Sequence, residues 1–294
     1  MNRPDFIIIG AMKSATSSIH SQLAAHPGMF MSEPKERNFF SDDAEYERGT
    51  EWYGSLFEAA AADDLRGESS THYTKLPDYP HTVDRMKAAL PNAKLIYVMR
   101  HPVDRLESHY IHQWSQNVIR CGIEEALDRH PELVDYGRYA FQLEPYFEAF
   151  GRDAVLPVFF AALKRHPQRE LERIARFVGY EGAVLWDPEL GAQNVSSERI
   201  RRFAGYGLIV ESRPMTALRR ALIPQGLRDA FKARLTMKER PTLVGPARSR
   251  VQRLFDEDLA RLSEWLGVRL DCDNFDACTA DRPLNWVQLA QGPR

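Results

Sequence analysis

The stretch Asp5-Phe6-Ile7-Ile8-Ile9-Gly10-Ala11-Met12-Lys13-Ser14-Ala15-Thr16-Ser17-Ser18 decides the fold. Its first half is a short β-branched run that stops at a glycine. From residue 16 to 25 apolar residues recur at helical spacing, with Ile19, Leu23 and Ala24 in phase. Strand, tight loop and helix therefore follow one another directly. A loop in that position presents free backbone N–H groups at the positive end of a helix dipole, an arrangement that favours an anion. Lys13 adds a positive charge, and Ser14, Thr16, Ser17 and Ser18 add hydroxyl donors. The bland counterpart is an ordinary strand-to-helix turn in which Ser or Thr only caps the helix.

Outward from this unit the alternation continues. Strands are predicted near 29–31, 66–69, 94–99 and 154–160, and helices near 45–61, 80–90, 102–115, 136–150 and 168–178. The run Lys94-Leu95-Ile96-Tyr97-Val98-Met99 is apolar almost throughout, as the buried centre of a parallel sheet requires. Pro157 assigns the 154–160 strand to an edge or a bulge. The expectation is a single α/β domain over residues 1–294: a central, mostly parallel sheet flanked by helices, a P-loop-like phosphate-binding loop and a helical C-terminal region. The core covers about residues 5–180, a basic helical segment about 196–245, and a last helix about 246–267.

With 44% hydrophobic residues in 294, the chain can bury a substantial core. Its 39 basic and 41 acidic residues leave a net charge of −2, so no global field recruits nucleic acid or an acidic membrane. A polyanion site must be local. Cys121, Cys272 and Cys278 form no metal-ligand spacing, and the Phe6–Ile9 run is too short for a signal segment or a membrane span. A reduced, cytoplasmic setting is the expectation.

The phosphate loop is not a Walker A motif, because Met12 stands where a glycine must precede the lysine. The strand at 94–99 runs into Arg100, where a P-loop kinase would often be expected to place a magnesium-binding Asp. A cation there suits a second phosphate, and Ser108, about two turns into the next helix, can join the same anion. Alternatively, Arg100 and Arg105 pair with Asp104 and Glu107 on a solvated helix.

Together these segments resemble the 3′-phosphoadenosine 5′-phosphosulfate (PAPS)-dependent sulfotransferases, in particular the heparan-sulfate-type and bacterial members. The family's 5′-phosphosulfate loop, roughly K-x-G-T-T/S, is matched by Lys13-Ser14-Ala15-Thr16-Ser17-Ser18. Its 3′-phosphate segment, R-x-P-x-x-R-x-x-S, is matched by Arg100-His101-Pro102-Val103-Asp104-Arg105-Leu106-Glu107-Ser108. Lys35-Glu36-Arg37-Asn38-Phe39-Phe40, Gly67-Glu68-Ser69-Ser70 and Gly137-Arg138-Tyr139 with Gln142-Leu143 also resemble the family. Three departures stand out. Ala15 replaces the usual loop glycine, Asn38 stands where relatives often carry His, and Ser69 and Ser70 stand where several carbohydrate sulfotransferases have Lys.

The resemblance implies sulfuryl transfer from PAPS, as co-substrate and without a metal, to a hydroxyl or amine of a small-molecule or glycan acceptor. Lys13 would stabilise the leaving phosphate, with Ser14, Ala15, Thr16, Ser17 and Ser18 around it. Arg100 and Ser108 would hold the 3′-phosphate, and Glu36 would be the general base. Burial beside Phe39 and Phe40 would raise the pKa of Glu36; its bland counterpart is a surface carboxylate among Glu33, Lys35 and Arg37. Lys35, Asn38 and His112 are expected on the acceptor side, with Lys35 either assisting the sulfuryl oxygens or pairing with Glu36, and with His101 and His109 as further possible bases. Arg199, Arg201, Arg202, Arg213, Arg219 and Arg220 form either a lid, a cradle for an acidic acceptor, or a solvated helix face, and Asn194 heads a glycosylation pattern. Two rivals stay open: a non-catalytic nucleotide- or polyanion-binding protein of the same fold, and a metal-dependent nucleotide kinase.

Overall fold

Ile7 and Ile9 join one apolar layer of the protein, and Phe6 and Ile8 join another. The strand they form, β1 (Phe6–Gly10), is buried on both faces and sits mid-sheet, as a run without polar alternation requires. The computed structural model describes residues 2–191 and 240–287. After β1 come α1 (Thr16–Ala24), β2 (Met29–Met31), α2 (Asp43–Tyr46), α3 (Gly49–Ser55), β3 (Leu65–Ser69), a 3-10 turn (Thr71–Thr74), α4 (Thr82–Ala89) and β4 (Lys94–Met99). Next are α5 (Pro102–Ser115), α6 (Ile123–Arg129), α7 (Glu132–Asp135), α8 (Tyr139–Phe150), β5 (Val155–Phe159), α9 (Phe160–Arg165), α10 (Pro167–Val178) and α11 (Pro188–Gly191). The later elements are α12 (Gly245–Leu266) and α13 (Phe275–Ala280).

The sheet has five strands in the order β2-β3-β1-β4-β5, and every neighbouring pair is parallel. The chain fills one side of β1 with β2 and β3, then crosses to the other side with β4 and β5. β1 is thus the topological switch point, and the crevice at its C-terminal end is where such sheets bind ligands. The phosphate loop opens there, beside the ends of β3 and β4. Pro157 lies in β5, an edge strand, where a missing N–H costs least.

The structure corrects several sequence expectations. The single helix predicted over 45–61 is two short helices, the second starting at Gly49, whose positive φ of 83° breaks the run. The helix predicted from 136 begins at Tyr139, where the Asp258 carboxylate accepts the Ala140 and Phe141 N–H groups at 2.9 Å each. Helix α5 is not a solvated face. Arg105 is fully buried and donates to the Leu133 carbonyl, while buried Glu107 accepts the Leu243 N–H at 2.9 Å. Gly137 makes room for this packing, since a Cβ there would meet Arg105 Nε at 2.9 Å and Phe255 at 3.0 Å. Asn194 and the six arginines from Arg199 to Arg220 lie outside the described residues.

Gly10 closes β1 against the 3-10 turn. A Cβ at this position would meet Thr74 Oγ1 at 2.0 Å and the Tyr97 ring at 3.0 Å, and the same Thr74 hydroxyl donates to the Ile9 carbonyl at 2.9 Å. Gly10→Ala is therefore expected to destabilise the protein by about 2 kcal/mol or more. Urea unfolding measures this, and wild-type stability in the variant would contradict the packing described.

Candidate active site

The loop between β1 and α1 is held in an unusual backbone state. Lys13 and Ala15 both have left-handed dihedrals, with φ of 70° and 71°, and Ala15 is the N-cap of α1. A glycine would enter this conformation without strain, which explains the loop glycine in the pattern that Ala15 departs from. Ser14 is fully buried, its hydroxyl has no hydrogen-bond partner among the described residues, and its N–H donates to the Ala11 carbonyl at 3.3 Å. It supports the loop from behind. Thr16 and Ser18 are buried at the start of α1, and Lys13 and Ser17 are partly exposed at the crevice.

Arg100, at the end of β4, reaches the same loop. Its Nη1 donates to the Lys13 carbonyl at 3.4 Å, Nη2 lies 3.6 Å from Asp104, and the guanidinium sits 5.0 Å from the Phe160 ring centroid. Tyr139 fixes its backbone, accepting the Arg100 N–H at 3.2 Å and donating to its carbonyl. Arg100 Nε is buried without a hydrogen-bond partner, a donor left waiting that an anion would satisfy. Ser108 lies on α5, as Asp104 does, and is buried.

A second loop, between β2 and α2, faces the first. Glu36 and Asn38 also have left-handed φ values of 64° and 56°. Adjacent strands hold them: Glu36 N–H donates to the Ser69 carbonyl at 3.0 Å, and Asn38 N–H to Ser70 Oγ at 3.0 Å. Beneath them Glu68 is fully buried and accepts hydroxyl bonds from Ser70 at 2.6 Å, Tyr73 at 2.8 Å, and Tyr53. Asn38 turns the chain here; its Oδ1 is buried without a partner.

Lys35 joins the two loops. Its Nζ donates to Glu36 Oε1 at 2.6 Å, to Ser17 Oγ at 3.1 Å and to Thr16 Oγ1 at 3.3 Å. The other carboxylate oxygen of Glu36 accepts from Thr71, from its N–H at 2.7 Å and its hydroxyl at 3.1 Å. Burial, the largest influence on this carboxyl, pushes its pKa up as the sequence predicts. The Lys35 charge and the hydrogen bonds from Lys35 and Thr71 together outweigh it, so Glu36 lies below the usual carboxylate range. This reverses the predicted direction. Glu36 is not a free surface carboxylate either.

Of the other sequence candidates, His101 and His109 are tied up elsewhere. His101 Nε2 lies 2.6 Å from the Cys272 carbonyl, and His109 is fully buried and stacked on Tyr136 at 5.6 Å. His112 is half-buried, one turn past Ser108 on α5. Four groups near the site carry no sequence signal of their own. His20 and His72 have pKa values pushed down by burial to about 4 and so stay neutral near pH 7, while Thr71 and Lys75 follow β3. The motif positions Ser69 and Ser70 could have drawn attention to this segment. Among the described residues no group of three or more His, Cys, Asp or Glu side chains could hold a metal ion, and no helix is long and apolar enough to cross a membrane.

Lys35→Met removes the charge and the hydrogen bond that oppose burial at Glu36. Its carboxyl pKa is expected to rise above its wild-type value, read by NMR titration of the side-chain carboxyl carbon. An unchanged pKa would contradict the electrostatic account of this pair.

The β1–α1 loop thus has Arg100 on one side and the Lys35–Glu36 pair on another. A sequence profile of the sulfotransferase domain matches residues 3–195. The chain is 26% identical over 214 residues to the mouse (Mus musculus) bifunctional heparan sulfate N-deacetylase/N-sulfotransferase 4, covering 64% of this chain and 24% of that protein. It is 28% identical over 197 residues to the human (Homo sapiens) enzyme 2 of the same name, covering 60% of this chain and 22% of that protein. The chain thus spans about a quarter of the length of these curated relatives. The crystal structure of a sulfotransferase from Alicyclobacillus acidocaldarius superposes with a TM-score of 0.66 at 24% identity, covering 92% of this chain and 98% of that one, and it shares the fold. With more than half its length matched to that domain, the chain belongs to the sulfotransferase family.

Proposed function

We propose that the chain moves the sulfuryl group of PAPS to a hydroxyl or amine of a carbohydrate or small-molecule acceptor. The observation that carries this reading is the Lys35 ammonium, which bonds the hydroxyls of Thr16 and Ser17 on the phosphate loop and the Glu36 carboxylate at once. PAPS would supply the activated sulfuryl group. Lys13 and the N–H groups at the start of α1 would hold its 5′ side, and Arg100 with Ser108 its 3′-phosphate. The partnerless Arg100 Nε fits a second anion there.

In this scheme the bond between sulfur and the 5′-phosphate oxygen breaks as the acceptor oxygen or nitrogen bonds to sulfur. Lys13 meets the charge that grows on the departing phosphate. Glu36 takes the acceptor proton. Its low pKa keeps it ionised, and a loose in-line transition state asks for a well-placed base more than a strong one. Lys35 keeps positive charge on the line between donor and base. The heparan sulfate relatives support a glycan amine as one acceptor class to test.

Glu36→Gln should lower turnover by about 10²- to 10⁴-fold while leaving calorimetric affinity for the product nucleotide 3′-phosphoadenosine 5′-phosphate (PAP) nearly intact; full activity in the variant would overturn the base assignment. Lys13→Ala should weaken PAP and slow transfer together. Transfer of label from radiolabelled PAPS should be insensitive to EDTA, and a requirement for added magnesium would favour a metal-dependent mechanism instead.

A further inference from the structure

Lys75 is a largely buried cation with no carboxylate in contact with it among the described residues. It is only 8% exposed, yet no ion pair or hydrogen bond reaches its Nζ among the described residues. Its one close contact is the Tyr136 ring, 5.6 Å from Nζ to centroid. A buried ammonium with no contacting counter-charge is costly: burial pushes the Lys75 pKa down to about 8, although the charges of Glu36 and Asp78 act against it. Proteins keep such groups chiefly where a ligand completes them.

The lysine is also firmly placed. Its carbonyl accepts the Asp78 N–H at 3.0 Å and the Tyr79 N–H at 3.3 Å. The next residue is clamped by fully buried Gln142, whose Oε1 accepts the Leu76 N–H at 2.8 Å and whose Nε2 donates to the Leu76 carbonyl at 2.9 Å. The surroundings locate it in the crevice. Lys75 feels the charges of Glu36 and of Asp78, which accepts the Tyr136 hydroxyl, and the same Tyr136 ring that it approaches stacks on His109, a group on which both Lys75 and Lys13 act. Ser69 and Ser70 cannot provide positive charge here. Both are fully buried, and the Ser70 hydroxyl is committed to Glu68.

We propose that Lys75 is a specificity residue that contacts an oxyanion of the acceptor, so that the preferred acceptor carries a carboxylate or sulfate near the hydroxyl or amine that is sulfated. This rests on the sulfuryl-transfer reading above. It assigns the 5′ and 3′ phosphates to Lys13 and Arg100, and Lys35 is already engaged by Thr16, Ser17 and Glu36. Lys75, which feels the Glu36 charge, is then available to the other substrate.

The test compares two glucosamine acceptors that differ in charge, with radiolabelled PAPS as donor. One is an N-deacetylated heparosan oligosaccharide, in which glucuronate alternates with glucosamine; the other is a chitosan oligosaccharide, which has the amines without the carboxylates. Wild type should have the lower KM for the carboxylated chain. Lys75→Met should raise that KM by about 10- to 100-fold, change kcat little, and leave the chitosan KM and PAP affinity unaltered. Lys75→Arg should restore most of the preference.

Equal loss on both acceptors, or a fall in kcat at unchanged KM, would overturn the proposal by assigning the charge to the transferred group or to structure. So would wild type showing no preference, or no transfer to either chain by protein that binds PAP. Failure of wild type to bind PAP in calorimetry would instead remove the nucleotide reading itself, which separates the two failures.

Discussion

The Lys35 ammonium is the interaction on which the arrangement of the site depends. It lies between a loop that sequence and dipole mark for phosphate and a carboxylate held on its far side by Thr71. A single cation between two oxygen-rich loops sets their separation, and it fixes the ionisation of Glu36 against a burial effect of opposite sign. Without it, Glu36 would keep only the Thr71 hydrogen bonds and would lose its contact to the first loop.

Those loops are costly to build. Lys13, Ala15, Glu36 and Asn38 all take left-handed backbone conformations, each worth roughly 1–2 kcal/mol of strain for a residue other than glycine. The surrounding structure compensates through specific bonds: Arg100 to the Lys13 carbonyl, Glu36 N–H to the Ser69 carbonyl, and Asn38 N–H to Ser70. Glu68, buried under three hydroxyl donors, stiffens the end of β3 from which the last two of these bonds come. Strain concentrated in two facing loops at a sheet's switch point is the usual mark of a functional site.

Much of this was legible in the sequence where the information is local. Apolar runs without alternation located β1 and β4 in the sheet interior, and Pro157 located β5 at an edge. What could not be read depends on residues far apart in the chain. Thr71, 35 positions away, adds to Lys35 in lowering the Glu36 pKa, and Gln142 clamps Leu76, the neighbour of Lys75, from 66 positions away. Arg105 and Glu107 carry charge that by itself predicts solvent; only the packing of α7, α12 and the segment before α12 shows them buried. Ser14 was legible as a loop hydroxyl but not as one fully buried.

The central claim is that one site grips two phosphates of a single nucleotide, one at the loop and one at Arg100. A thermodynamic cycle measures it most directly: calorimetric affinities of wild type and Arg100→Met for PAP and for adenosine 5′-phosphate, which lacks the 3′-phosphate. The account predicts that the substitution weakens PAP but hardly changes adenosine 5′-phosphate, with a coupling energy of about 1.5–3 kcal/mol between the guanidinium and the 3′-phosphate. Equal weakening of both nucleotides, and hence no coupling, would contradict it.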